Sequence, residues 1–202
     1  MSRTVLGMLV FLLTACVAPG ANLLSKSKSA SSGPVRSSPG SATCGSAFPK
    51  GEGEVVAKLA VDLLSENTTP PTISLIAEVD DSVVGHVAFS PVVIEHNEDC
   101  QAYILAPLAV QPDYQRRRIG SALVEYGVQQ LAAMGVNIVF VYGDPAYYGG
   151  FGFDADAAHD YTAPYPLQYP LGWQALVLNE CAIEKAPVAI DCVSALRDPQ
   201  LW

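Results

Sequence analysis

The chain has 202 residues, half of them hydrophobic, with twenty acidic side chains against eleven basic ones. That length and apolar content suit one domain of ordinary size with a real core. A formal net charge of −9 excludes binding that rests on nonspecific neutralisation of nucleic-acid phosphates and favours a cationic partner or substrate.

The charge is uneven along the chain. No acidic residue precedes Glu52, whereas Arg3, Lys26, Lys28, Arg36 and Lys50 do. In "MSRTVLGMLVFLLTACVAPGA" Arg3 comes first, then an apolar run from Val5 to Leu13, then small residues. Residues 1–21 have the layout of a secretory leader, and the run is too short to span a bilayer as a helix. Leu13-Thr14-Ala15-Cys16 also matches a bacterial lipobox, which would make Cys16 a lipid-bearing terminus and tether the chain to a membrane. Residues 22–47 are rich in Ser, Gly and Pro and are expected to form a disordered linker. Two alternatives stay open: an organelle transit segment, since the stretch is Ser-rich, basic and free of acid, and a cytoplasmic chain with a misassigned start.

The folded part is expected from 48 to 202. Glu54 to Leu64 carries Val55, Val56, Leu59, Ala60 and Leu63 at helical spacing. "TISLIAEVDDSVVGHVAFSPVVI" reads as two strands joined at Asp80-Asp81-Ser82. Tyr103 to Val110 is a third strand, with Pro107 in its middle; proline cannot donate a ladder hydrogen bond, so a bulge or broken pairing is expected there. Ile119 to Met134 is a helix with Ile119, Leu123, Val124, Gly127, Val128 and Leu131 on one stripe. "VNIVFVYG" is a short, continuously apolar strand. Asp144-Pro145 fits an N-cap followed by proline at the first helical position. "WQALVLN" is a further strand. Strand, helix, strand over residues 103–141 predicts a parallel crossover within a mixed α/β sheet.

The five cysteines, Cys16, Cys44, Cys100, Cys181 and Cys192, show no CxxC spacing. A metal site is therefore not expected. Buried thiols are the simplest reading, with Cys181 and Cys192 as the pair that could bridge on export.

"QPDYQRRRIGSAL" sets Arg116, Arg117 and Arg118 just ahead of a helix. A helix N-terminus carries partial positive charge and free N–H groups, so three cations there are unfavourable unless an anion binds. With an anion, both features attract together. The loop reads as a phosphate site, though it matches neither G-x-x-x-x-G-K-[ST] nor G-x-G-x-x-G.

With the residues around it, "LAPLAVQPDYQRRRIGSALVEYGVQQLAAMGVNIVFVYGDPAYYGGFGF", the segment resembles the GNAT superfamily of N-acetyltransferases, in particular its bacterial YhbS-like branch. The similarity runs from about Phe48 to Trp202. It implies the GNAT-like acyl-CoA N-acyltransferase fold, with acetyl-CoA as donor and an amine, small-molecule or peptide, as acceptor. The pantetheine arm would lie along Leu108, Ala109 and Val110. The pyrophosphate would rest on the amides of Gln115, Arg116, Arg117, Arg118, Ile119, Gly120 and Ser121. Tyr148, four residues before Gly152, would be the acid that protonates the leaving thiolate. A GNAT-like domain that binds CoA or a partner without turnover is the alternative implied function.

No base stands out. Glu95, His96, Glu98 and Asp99 lie where acceptors approach in such folds, but also read as a solvated loop. His86 reads as structural, and Asp154 with Asp156 lacks the rest of a calcium loop. Three positions depart from the family pattern. Arg118 stands where the family has glycine, so it either hinders the ligand or turns outward and adds charge. Gly150 stands where many members have arginine. No segment ahead of Phe48 reads as the family's first strand and first helix, so the expected sheet lacks that strand.

Overall fold

The computed structural model of the chain describes residues 22–26, 52–181 and 187–202. The leader, with Cys16, and most of the proposed linker lie outside the described residues. Eight strands are described: β1 (Asn22–Lys26), β2 (Ile73–Val79), β3 (Ser82–Ile94), β4 (Ala102–Val110), β5 (Ile138–Tyr142), β6 (Tyr161–Thr162), β7 (Trp173–Val177) and β8 (Val188–Cys192). The helices are α1 (Glu52–Ser65), α2 (Ile119–Ala133) and the single-turn α3 (Pro145–Tyr148). Strand order is β1-β2-β3-β4-β5-β7, with β8 paired to the end of β3 and β6 paired to β8.

One expectation is corrected at the sheet edge. The first strand, taken to be absent, is present: Asn22–Lys26 pairs antiparallel with β2, Asn22 facing Glu78 and Lys26 facing Ser74. "NLLSK" offers no hydrophobic alternation to read in the sequence; its order comes from main-chain hydrogen bonds to a partner strand remote in the chain. Whether a helix precedes α1 concerns residues 27–51, outside the described residues.

The described residues fall into two compact units. The first holds β1, α1, β2, β3 as far as Ser90, the Ala106–Val110 half of β4, and α2 as far as Gln129. The β2–β3 hairpin turns through Asp80 and Asp81, both at positive φ (49° and 60°), the conformation that two-residue hairpins require. Its inner face meets α2 at two bare positions. A Cβ on Gly85 would lie 2.9 Å from both Ile119 Cγ2 and Leu123 Cδ1, and one on Gly127 would overlap the Phe89 ring. Glycine inside a helix costs about 1 kcal/mol relative to alanine; here it lets the helix sit against Phe89. On α1, Val56, Leu59, Ala60 and Leu63 are buried, as their spacing predicts. His86 is buried and hydrogen-bonded to the Ser74 hydroxyl (2.8 Å). Burial lowers its pKa to about 4, so the ring stays neutral. This is the structural role expected of it.

The second unit holds Pro91–Leu105 and Gln130–Trp202. Here β4 and β5 pair in parallel, from Ala102 opposite Ile138 to Leu105 opposite Val141, and β5 pairs antiparallel with β7. Aromatic rings fill this core: Phe140 stacks on Trp173 (5.1 Å between centroids) and meets Tyr161 edge-on (4.9 Å). β8, not foreseen, follows the strand period, with Val188, Ile190 and Cys192 buried and Ala189 and Asp191 exposed.

The cysteine pairing also differs from expectation. Cys100 and Cys181 form a disulfide, and Cys192 is a buried free thiol whose pKa burial pushes up to about 12. Asn137 explains the pairing. It accepts from the Gln101 amide on its side chain (2.9 Å), donates its own amide to the Gln101 carbonyl (2.8 Å), and accepts Leu178 and Asn179 amides on its carbonyl (2.8 and 3.1 Å). The start of β4 and the exit of β7 are thereby held at one point. Cys192 instead lies in β8, opposite Val92.

Candidate functional site

The arginine loop belongs to the first unit and begins where a ladder has already stopped. The β4–β5 register ends at Leu105, two residues before Pro107, and Ala106–Val110 continue as strand with no β5 partner among the described residues. The broken pairing expected at Pro107 is thus present. Leu108 is half-buried, while Ala109 and Val110 are buried. Gln111 fastens the strand exit: its amide donates to the Val84 carbonyl (2.8 Å) and its side chain to the Val83 carbonyl (2.7 Å). The chain then makes a single 3₁₀ turn, Pro112–Tyr114. Gln115, expected to offer its amide to a ligand, spends it on the Pro112 carbonyl (3.2 Å), and its side chain donates to the Val110 carbonyl (3.1 Å). It braces the loop from within.

From Arg116 to Ser121 the backbone changes character. Among the described residues none of these six amide N–H groups has an acceptor; the first helical bond runs from Ala122 N–H to the Arg118 carbonyl (2.9 Å). Arg116 and Arg118 have φ of 60° and 58°, and Arg117 between them is not in the left-handed region. Alternating handedness turns successive N–H groups to one side, which makes an anion-binding concavity. The orphan donors and positive end of α2 continue the row. All three arginines are exposed, and among the described residues none is in an ion pair. Arg117 lies over the Tyr114 ring, 5.1 Å from its centroid. The sequence singles out Arg118 as the residue in glycine's place; the backbone adds Arg116. A non-glycine residue at positive φ costs about 1–2 kcal/mol. Arg118→Gly is therefore expected to raise unfolding free energy by about 0.5–1 kcal/mol, after the greater freedom of glycine in the unfolded chain is deducted. Urea unfolding measures it, and an unchanged or lower midpoint would show that Arg118 is unstrained.

Tyr148 lies in the second unit. Asp144 caps α3, its Oδ1 accepting from the Ala146 amide (2.9 Å), with Pro145 at the first helical position, as the sequence predicts. The Asp144 carbonyl accepts from both Tyr147 and Tyr148 amides. The Tyr148 ring is buried directly over Gly143, where any Cβ would overlap it, and meets Tyr147 and Phe153 edge-on. Burial, with smaller contributions from Tyr147 and Asp144, raises the phenol's pKa well above its ordinary 10.0. The group stays protonated throughout the neutral range. Gly152 closes the following turn at φ 89°, which glycine adopts freely. A Cβ on Gly150 meets nothing within 4 Å, so no close contact requires glycine at this position.

Glu95, His96, Glu98 and Asp99 form an exposed loop ahead of Cys100 and the start of β4, with His96 3.4 Å from Glu95. Asp154 accepts from the Asp156 amide (2.9 Å) in a local turn, and His159 is exposed. Gln174, passed over in the sequence, is buried and donates to the carbonyls of Gly143 and Gly172. The available signal was a lone carboxamide in the apolar strand "WQALV".

A mixed sheet whose fourth strand outruns its parallel partner and feeds a row of free amides at a helix head is the acyl-CoA N-acyltransferase fold. The chain belongs to the acetyltransferase (GNAT) family, whose model matches residues 46–152. Two relatives from Escherichia coli strain K12 carry the descriptions uncharacterized N-acetyltransferase YjhQ and YhbS. The first is 38% identical over 113 residues, 55% of this chain and 62% of YjhQ; the second is 39% identical over 116 residues, 57% of this chain and 68% of YhbS. The match therefore spans less than two thirds of YjhQ. Two crystal structures share the fold. YhbS from Escherichia coli in complex with CoA superimposes with a TM-score of 0.71 at 28% identity, covering 91% of this chain and 96% of that one. A GNAT family acetyltransferase from Brucella melitensis in complex with acetyl-CoA gives 0.60 at 26% identity, covering 86% and 97%.

Proposed function

We propose that the chain transfers an acetyl group from acetyl-CoA to an amine. The observation that carries this reading is the row of six amides from Arg116 to Ser121 that are unpaired among the described residues, carried by a segment with three cations and preceded by a strand stretch that has no β5 partner among them. Those groups suit a pyrophosphate, and the extended Leu108–Val110 backbone suits a pantetheine amide chain. The two solved relatives, bound to CoA and to acetyl-CoA, support the same donor.

Bound acetyl-CoA would supply an activated carbonyl on a good leaving group. The chain's part is to hold it, to bring the amine to it, and to manage two protons. Tyr148 is the acid in this reading. Its phenol is held protonated by burial. The proton lost by the amine goes to a base not assigned to a side chain here. The excess of acidic residues favours a cationic amine as acceptor.

The first test is binding. Acetyl-CoA at a hundred times its dissociation constant is expected to stabilise the full chain by about 2.7 kcal/mol, read as a rise in melting temperature. No rise at millimolar acetyl-CoA would rule out the donor. A rise without release of free thiol across a panel of cationic, neutral and anionic amines would favour binding without turnover.

A further inference from the structure

The geometry points to Gln174 as the residue that positions Tyr148, an inference that rests on the acid role proposed above. Strand β7 is apolar except at this residue, which is 1% exposed and faces Val141 of β5. A carboxamide buried there must find partners or carry its desolvation uncompensated. It finds two: its Nε2 donates to the Gly143 carbonyl (3.2 Å) and to the Gly172 carbonyl (3.3 Å). The Gly143 amide also donates to the Gly172 carbonyl (2.9 Å). One side chain thus fastens the exit of β5 to the entry of β7.

That exit is where Tyr148 is set. The Gly143 carbonyl and the Asp144 amide share one rigid peptide plane. Holding the carbonyl fixes the plane from which Asp144 launches and caps α3. The Gly143 Cα is also the bare surface under the Tyr148 ring. Among the described residues no other donor reaches the Gly143 carbonyl. A methionine at this position of β7 would fill the same space and leave that carbonyl unheld, so the peptide plane could turn and the ring could leave its seat.

The test uses the full chain with Gln174→Met, Gln174→Glu, Tyr148→Phe and the double variants. Burial beside two carbonyl oxygens would hold the carboxyl that Gln174→Glu introduces neutral, able to donate one hydrogen bond at most, whereas Gln174→Met donates none; the two variants grade the effect, provided each keeps the wild-type circular dichroism. Expected is a loss of about tenfold or more in kcat with KM for acetyl-CoA within about twofold. Added to Tyr148→Phe, the same change should cost less than about twofold more, because the two act through one group. Without ligand, an ultraviolet pH titration should show one more tyrosine ionising near the ordinary phenol range, absent again in the double variant. Independent, multiplicative losses, or an unchanged number of titrating tyrosines, would overturn the positioning role; so would loss of fold in both variants, which would make Gln174 purely structural. If Tyr148→Phe alone left kcat intact, the acid role would fall, and the titration would still decide whether Gln174 seats the ring.

Discussion

Tyr148→Phe is expected to lower kcat by about a hundredfold or more while leaving KM for acetyl-CoA within about twofold. The change removes one oxygen from a ring seated against Gly143, Tyr147 and Phe153. Phenylalanine keeps those contacts, so the fold should hold and the loss should fall on the chemical step. An acid works only while protonated, and it fails as pH rises through its pKa. Because burial lifts the Tyr148 pKa above its ordinary 10.0, the wild-type rate should show no loss from this group through mildly alkaline pH. Steady-state kinetics with a cationic amine, following free thiol, measures both claims. A variant with wild-type kcat would assign the proton to solvent or another side chain.

Replacing Cys100 and Cys181 together with alanine is expected to lower unfolding free energy by about 3 kcal/mol, with reductant acting on the wild type in the same direction. The disulfide spans 81 residues, a long loop to close, and its main effect is to restrict the unfolded chain. The native contacts that bring the two cysteines together, centred on Asn137, remain in the variant, so its secondary structure should persist at low urea. Urea unfolding monitored by circular dichroism gives the difference. Equal midpoints with and without reductant would mean that the bond adds nothing to stability. Mass spectrometry after alkylation gives an independent check: none of Cys100, Cys181 and Cys192 should react in the native protein, and unfolding without reductant should expose Cys192 alone of the three.

Much of the fold is legible in the sequence because its signals are local. The helical stripe of α1, the hairpin at Asp80-Asp81, the apolar run of β5 and the Asp144-Pro145 cap each depend on neighbours a few residues away. The arginine loop is legible for the same reason: three cations at a helix head make sense only with an anion, and that argument needs no tertiary contact. The strand Asn22–Lys26 is not legible, because five residues with two adjacent leucines take their order from β2 alone. Nor is β8, whose short alternation is fulfilled only when β3 lies beside it.

The sequence by itself determined the family and the places of the arginine loop and Tyr148 along the chain, since each rests on residue type at fixed spacing. Tertiary structure decided which cysteines pair, because Asn137 joins segments remote in the chain. It decided that Gln115 braces the loop, leaving the free amides to begin at Arg116. It also decided that Gln174 reaches Gly143, since a side chain in β7 can hold the exit of β5 only once the two strands are paired. Arg116 and Arg118 show the limit between the two: their charge is written in the sequence, but their left-handed backbone belongs to the folded loop between β4 and α2.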